Sequence, residues 1–172
     1  MERSFNINLS DFVIQEFLVE TAGEHALSIV KACTKEVTDE TVADKTHVKI
    51  NTIRTVLNKL HYLGVVTYTR EKNERTNWFT YTWKLRPKRL IELVKEAWEE
   101  KLSELENRSS MEENYVYFSC VNGCEKYAFE VAMEYDFKCP RCGGEMKHQD
   151  NTKVIRSLKE RIKLAKKQLS KL

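Results

Sequence analysis

Proline and glycine are scarce in this chain of 172 residues, which contains two prolines and five glycines. No uninterrupted apolar run approaches the ~18 residues that a membrane-spanning helix needs. The first residues, MERSFNINLSDF, also lack the hydrophobic segment of a secretory signal. Hydrophobic residues make up 41% of the sequence and charged residues 32%, a balance typical of soluble globular proteins. We therefore expect a cytoplasmic protein that does not bind membranes and whose cysteines stay reduced.

Motifs of catalysis are also missing from the sequence. It contains neither a glycine-rich phosphate loop nor a local Ser/His/Asp or Cys/His arrangement. Acidic pairs, such as Glu99 and Glu100, lie in polar stretches that are typical of a solvated surface. These absences predict that the protein is not an enzyme.

Charge changes sign along the chain, although the net charge is only +3. Residues 1–49 carry a net charge of −4, residues 50–86 carry +5, residues 111–151 carry −4 and residues 152–172 carry +7. Such segregation is typical of modules that contact different partners.

Hydrophobic periodicity changes from helical to strand-like within the first half of the chain. Residues at helical spacing predict four helices, over residues 10–22, 24–35, 39–44 and 51–63. Ser10 is the expected N-cap of the first helix, and Gly64 ends the fourth. Residues 65–70 and 77–85 are rich in β-branched and aromatic side chains and predict a β-hairpin. Helices in this order followed by a hairpin predict a winged helix.

Four of the five cysteines form two closely spaced pairs. Three residues separate Cys120 from Cys124, two separate Cys139 from Cys142, and 14 residues lie between the pairs. Each pair can supply two thiolates to a tetrahedral zinc ion. Because four cysteines leave no position for a water molecule, we predict one structural Zn²⁺ in a ribbon-like module. The fifth cysteine, Cys33, lies on an apolar helical stripe and is expected to be buried.

The remaining segments complete a predicted architecture that is mainly α-helical with small β elements. A long helix begins at Pro87, and the polar residues 107–110 predict a break after it. Short strands are expected over residues 115–119 and 127–132, and a basic helix with a heptad seam follows residue 151. The predicted parts are a winged-helix domain (1–86), a linker helix (87–110), a zinc-ribbon domain (111–150) and a basic C-terminal helix (151–172).

This order of elements resembles archaeal transcription factor E, the counterpart of the α-subunit of eukaryotic TFIIE. The likeness covers about residues 10–148 and is strongest over residues 37–85, where the aromatic strand from Trp78 to Trp83 follows a basic turn. The resemblance implies a basal transcription initiation factor. Such a factor joins RNA polymerase at the promoter, together with TATA-binding protein and transcription factor B, and promotes or stabilises DNA melting in the open complex.

The resemblance also implies where the modules bind. The winged helix is expected on the polymerase clamp near the single-stranded non-template DNA strand, and the ribbon towards the stalk and the base of the clamp. The wing corresponds to residues 65–85, with its tip at residues 72–78. Whether a β-type partner subunit is needed stays open.

Cations lie beside aromatic residues in this hairpin. The candidate polymerase-binding or DNA-binding residues are Tyr68, Arg70, Lys72, Arg75 and Trp78. Cations next to aromatic rings suit single-stranded DNA, whose bases can stack on the rings, and they suit an acidic protein surface equally well.

Other residues of the first domain are expected to have structural roles. Phe79, Tyr81 and Trp83 are expected to pack the hairpin against the helices. The predicted recognition helix, residues 51–63, offers few cations, namely Arg54, Lys59 and His61. This predicts weak binding to duplex DNA.

Two other functions remain open from the sequence. One is a winged-helix DNA-binding transcriptional regulator with a structural zinc ribbon, and the other is an adaptor whose modules both bind protein. The basic C-terminal helix could bind a partner helix or nucleic acid, or pack on the linker helix.

Overall fold

The computed structural model describes residues 7–72, 74 and 77–172. This part of the chain contains seven α-helices and two small antiparallel sheets. It divides into two compact units, one up to Ala97 and the other from Trp98 onward. None of the helices described here is long and apolar enough to cross a membrane. The predicted combination of helices with small β elements is confirmed, while the winged-helix assignment and the domain limits stay predictions.

The first unit contains four helices, a three-stranded sheet and the start of a long fifth helix. Its elements are α1 (Phe12–Ala22), α2 (Ala26–Ala32), β1 (Val37–Thr38), α3 (Asp39–Thr46), α4 (Ile50–Tyr62), β2 (Val66–Lys72), β3 (Phe79–Leu85) and α5 (Pro87–Asn114), which continues into the second unit.

Local hydrogen bonds determine where these helices begin and end. The carboxylate of Asp11 accepts a hydrogen bond from the backbone N–H of Val13 at 3.0 Å and is the N-cap of α1. The predicted cap, Ser10, is therefore wrong by one residue. Gly64 follows α4 with a φ of +75°, a conformation that favours glycine, so the predicted end of this helix is confirmed.

The central strand of the first sheet is β3, which pairs with β1 on one side and β2 on the other. Buried side chains from the helices and the base of the hairpin form the core, including Leu18, Ile29, Ile53, Leu57, Leu60 and Val65. Strand β1 was not predicted because it has only two residues and therefore no readable period. The core holds one end of the β2–β3 hairpin, while the other end extends away from it.

The second unit combines a small sheet with three helices. After α5 come β4 (Tyr117–Cys120), β5 (Lys126–Ala128), α6 (Phe129–Glu134), β6 (Met146–Gln149) and α7 (Thr152–Leu169). The strand order is β5-β4-β6. The strand predicted over residues 127–132 is correct only to Ala128, because the chain then turns into α6 and buries Ala132 against Cys120 and Met146.

Helix α5 runs through residues 107–110, so the predicted break there is wrong. Ser109 within this stretch and Glu112 shortly after it are both buried. The carboxylate of Glu112 accepts a hydrogen bond from Lys126 Nζ, and its backbone carbonyl accepts one from Asn151 Nδ2, both at 2.5 Å. These tertiary contacts outweigh the modest helix propensity of asparagine and serine.

Helix α7 lies alongside the C-terminal half of α5 with the opposite chain direction. Its Lys159 Nζ lies 2.9 Å from a carboxylate oxygen of Glu113, and its Lys166 Nζ lies 2.7 Å from one of Glu106. The later residue of α7 therefore pairs with the earlier residue of α5, as expected for antiparallel helices. Of the roles left open for this helix, packing on α5 is therefore observed.

Candidate functional site

The sulfur atoms of Cys120, Cys124, Cys139 and Cys142 lie within 4.8 Å of one another. The Sγ atoms of Cys120 and Cys142 are 3.5 Å apart. A tetrahedral zinc ion with Zn–S bonds of about 2.3 Å requires sulfur atoms about 3.8 Å apart. The cluster thus has the size and the soft donor set of a metal site, and the four cysteines could hold one metal ion.

Hydrogen-bond donors surround this cluster. The backbone N–H of Asn122 donates to Cys120 Sγ and its side-chain Nδ2 donates to Cys142 Sγ, both at 3.4 Å. The pKa of Cys142 falls to about 6, first because of the Asn122 amide and then because of the backbone N–H of Gly144. Both donors favour the thiolate, which is the form that binds a metal.

Gly144 allows Asn122 to approach the cluster. A Cβ atom at this glycine would lie 2.6 Å from Asn122 Nδ2 and 3.3 Å from Cys142 Sγ. The first of these distances is shorter than any ordinary contact. A larger residue at this position would therefore displace the amide that donates to the sulfur.

The four thiols cannot all ionise without compensation. The pKa of Cys124 rises to about 12, first because its thiol is hydrogen-bonded to Cys142 and then because of desolvation. Thiolates this close together repel one another. A divalent cation at their centre would remove that repulsion, which is a second reason why the donor set fits a metal.

Three of the other candidate residues, Tyr68, Arg70 and Lys72, lie on one face of the β2–β3 hairpin. Residues directly opposite each other in an antiparallel pair share a face, and the register pairs Tyr68 with Trp83, Arg70 with Tyr81 and Lys72 with Phe79. Exposure increases along this face towards the tip. Trp83 is 4% exposed, whereas Phe79 is 45% exposed.

The outer part of the hairpin presents aromatic rings together with cations. Arg70 Cζ lies 4.4 Å from the centre of the Phe79 ring, a cation–π distance. Trp78 precedes β3 and is 78% exposed, and Lys72 ends β2 with an exposed side chain. Arg75, the remaining predicted tip residue, lies outside the described residues.

Phe79 is a candidate residue that the sequence analysis missed. It was expected to pack against the helices together with Trp83, and this expectation is correct for Trp83 and wrong for Phe79. Alternation along β3 assigns both residues to one face but carries no information about where the core ends. The sequence did contain one indication that Phe79 is exposed, because a charged residue, Arg70, lies only two residues before the end of β2.

Tyr68 has a largely structural environment. Its ring centre lies 4.9 Å from that of His61, 5.2 Å from that of Trp83 and 5.4 Å from that of Tyr81. With 40% of its surface exposed, it links the buried base of the hairpin to the exposed end. Tyr68 thus lies on the same face as Arg70 and Lys72, but much of its ring packs against neighbouring rings.

Two of the three basic residue types that the sequence places on the predicted recognition helix, Arg54 and His61, contact other residues of the first unit. Arg54 Nε donates to the Asp39 carboxylate at 2.7 Å, and this hydrogen bond is the main cause of a raised Arg54 pKa. His61 Nδ1 lies 3.1 Å from the backbone carbonyl oxygen of Val66. The Arg54–Asp39 ion pair leaves α4 with less unpaired charge than its sequence offers.

Comparison with known proteins finds relatives that are similar to this chain over most of its length. The model of the TFIIE alpha subunit family matches residues 8–114. Transcription factor E of Methanobrevibacter smithii is 40% identical, covering 90% of this chain and 91% of that protein. Transcription factor E of Methanococcus vannielii is 41% identical, with 90% of each chain covered.

One solved structure, titled a possible transcriptional regulator from Methanosarcina mazei, overlaps 61% of this chain and 81% of its own, with a TM-score of 0.35 and 10% identity. The chain belongs to the transcription factor E family, which is related to the TFIIE alpha subunit and is a family of transcription initiation factors, not a class of enzymes.

Proposed function

We propose that this protein is a basal transcription initiation factor that binds RNA polymerase at the promoter and promotes or stabilises DNA melting. The observation that carries the proposal is the exposed end of the β2–β3 hairpin, where Arg70 covers Phe79 and Trp78 is mainly solvent-exposed. Family membership supports the same role.

The first unit acts as a winged helix in this proposal. Helices α3 and α4 form the helix-turn-helix, and the β2–β3 hairpin is the wing. The ion pair of Arg54 with Asp39 reduces the charge that α4 can offer to phosphates. Binding to duplex DNA by the chain alone is therefore weak, and recruitment depends on the polymerase.

The wing tip contacts DNA that has already opened. Bases of the single-stranded non-template strand stack on Trp78 or Phe79, and each stacked base contributes about 1–3 kcal/mol. Arg70, Lys72 and Arg75 neutralise the nearby phosphates. Because these contacts require unpaired bases, they stabilise the open complex over the closed one.

The second unit contributes a closed metal site. Cys120, Cys124, Cys139 and Cys142 hold one structural Zn²⁺, and four thiolates leave no position for catalysis. The buried cluster around these cysteines is small, so metal binding supplies much of the folding free energy of this part of the chain. The ion holds the β4–β5–β6 sheet together and shapes the surface that this unit presents.

The proposed partners follow from the resemblance to transcription factor E. The winged helix binds the polymerase clamp and the ribbon binds towards the stalk, in a complex that contains TATA-binding protein and transcription factor B. A β-type subunit is a further candidate partner. The proposed location is the cytoplasm, where the cysteines stay reduced.

Permanganate reactivity of promoter thymines tests the proposal directly. Polymerase, TATA-binding protein and transcription factor B are assembled on a promoter that melts poorly, with and without this protein. We expect the protein to increase reactivity, and Trp78→Ala and Arg75→Glu to lose most of that increase. Phe12→Ala is the control, because Phe12 is an exposed aromatic residue on α1.

Equal reactivity with all variants would refute the role of the hairpin. Tight sequence-specific binding to duplex DNA by the chain alone would instead favour the alternative, a winged-helix transcriptional regulator. Cross-linking to polymerase but not to DNA would favour a protein-binding adaptor.

A further inference from the structure

A basic groove lies between α7 and the C-terminal half of α5. Its volume is about 260 Å³, and it is lined by Arg108, Lys153, Val154, Ser157, Leu158 and Arg161. Three of these six side chains are cationic, and the described part of the chain contributes no carboxylate to the lining. One of the cations comes from α5 and two come from α7, so the charge converges only when the helices pack together.

The three groove cations differ from Lys159 and Lys166, which lie on the same pair of helices, in how they are paired. Lys159 and Lys166 on α7 form ion pairs with glutamates of α5. Within the described residues, no carboxylate lies at ion-pair distance from Arg108, Lys153 or Arg161. Packing of α7 on α5 therefore neutralises some cations and leaves these three as a concentrated positive charge.

A carboxylate near the groove is already engaged in other contacts. The pKa of Asp150 is lowered first by hydrogen bonds from the side chain and the backbone of Thr152, and only in smaller part by His148 and Lys153. The Asp150 carboxylate therefore interacts mainly with Thr152, the first residue of α7, whose backbone N–H and hydroxyl both donate to it.

We propose that this groove binds phosphate groups of a nucleic-acid backbone. Phosphate oxygens are the natural partners of converging arginine and lysine side chains. Such binding needs charge but no sequence-specific contact.

The surface of α7 favours nucleic acid over a protein helix as the ligand. Its apolar seam is already used inside the unit, where Leu158 is 3% exposed and Ala165 is 6% exposed. The segment 152–172 contains no aromatic residue, and Leu164 is the one large hydrophobic side chain on α7 that is mainly exposed. Protein interfaces depend on aromatic and apolar anchors, which this surface does not offer.

This inference goes beyond the proposed function, because it places a nucleic-acid contact in the second unit and does not depend on the wing. The two contacts also have different physical signatures. Stacking on Trp78 contributes affinity that changes little with salt, whereas phosphate neutralisation depends strongly on salt. Their failures can therefore be distinguished in one experiment.

Fluorescence anisotropy of the full chain with a labelled oligothymidylate, measured over a series of salt concentrations, tests the proposal. Each phosphate contact contributes about 0.7 to the slope of log affinity against log salt for single strands. Lys153→Gln combined with Arg161→Gln should make that slope shallower by about 1.4, and Arg108→Gln alone should make it shallower by about 0.7. Zinc content and far-ultraviolet circular dichroism should match the wild type, because the three side chains are exposed.

The control is Lys138→Gln combined with Lys147→Gln, which removes the same charge from exposed positions elsewhere in this unit. The change in slope caused by this control should be less than half of the change caused by the double groove variant. Trp78→Ala should weaken binding at every salt concentration without changing the slope, and its failure to do so would count against the wing alone.

Equal slopes for wild type and groove variants would overturn the proposal. Poly-glutamate provides the test for an acidic protein ligand. If the groove substitutions abolished binding of poly-glutamate but left DNA binding unchanged, the groove would be a protein site and the proposal would be wrong.

Discussion

Asp39 accepts a hydrogen bond from the indole Nε1 of Trp83 at 2.5 Å, across 44 positions of sequence. The other carboxylate oxygen accepts one from Arg54 Nε at 2.7 Å. Asp39 itself is only 5% exposed. One buried carboxylate therefore joins the start of α3 to α4 and to the central strand of the sheet, and fixes the direction in which the hairpin leaves the core.

Asp39→Ala should destabilise the first unit by about 1–3 kcal/mol, because it leaves a buried indole N–H without its acceptor. The free energy of unfolding can be measured by urea titration of the Trp78→Phe, Trp98→Phe background, in which Trp83 is the one fluorescent indole. Asp44→Ala is the control on the same helix, since that side chain is exposed. Equal midpoints for the two variants would show that the carboxylate does not stabilise the hairpin.

Single-stranded DNA should quench the fluorescence of Trp78 specifically. Trp78 is 78% exposed, whereas Trp83 is 4% exposed, so a base can reach the Trp78 ring but not the buried Trp83 ring. We expect oligothymidylate to quench wild-type fluorescence, Trp78→Phe to lose most of the quenching and Trp98→Phe to retain it. Quenching that persists in Trp78→Phe would assign the DNA contact to another part of the chain.

The five cysteines should react with a thiol reagent in two classes. Cys33 is fully buried, and burial, followed by the charge of Asp39, raises its pKa to about 11. Only thiolates react, and a raised pKa keeps this thiol protonated through neutral and mildly alkaline pH. A chelator should expose the other four thiols to Ellman's reagent, and denaturation should expose Cys33.

Two results would contradict this prediction. Rapid reaction of four cysteines without chelator would argue against a bound metal ion. Metal analysis supplies an independent check, because we expect one zinc ion per chain after purification without chelators. Release of a fifth equivalent in the native state would show that the second helix opens readily.

Short-range signals in the sequence predicted the elements that depend on local chemistry. Gly64 marks the end of α4 because its positive φ suits glycine. The spacing of the cysteines predicted their clustering because each pair is separated by only two or three residues, so each pair can form a short chelating loop by itself. The heptad seam of α7 was visible because an amphipathic helix shows its buried face in its periodicity.

Long-range contacts explain what the sequence did not reveal. Strand β1 exists because Val37 pairs with Trp83, a partner 46 positions away. Helix α5 continues past residue 107 because Glu112 and Ser109 are buried against the rest of the second unit. The basic groove was invisible for the same reason, since Arg108 meets Lys153 and Arg161 only after the helices pack.

The contact of α7 with α5 should depend on Leu158. This side chain is 3% exposed, while Leu164, on the same helix, is 62% exposed. Truncating a buried leucine to alanine costs about 2–5 kcal/mol, so Leu158→Ala should detach α7 locally. Leu164→Ala changes the same number of atoms on the solvent side and should have little effect.

Hydrogen–deuterium exchange of the peptide covering residues 152–172 measures this difference. A loss of 2 kcal/mol corresponds to a rise of roughly 30-fold in the opening equilibrium, so the amides of α7 should exchange at least that much faster in Leu158→Ala. The same variant should also weaken the proposed nucleic-acid groove, because its cations come from both helices. If both leucine variants exchanged at the wild-type rate, the packing of α7 would have to rest on the ion pairs of Lys159 and Lys166. Reversing those two charges would then be the decisive measurement, because it removes both pairs and leaves the apolar seam intact.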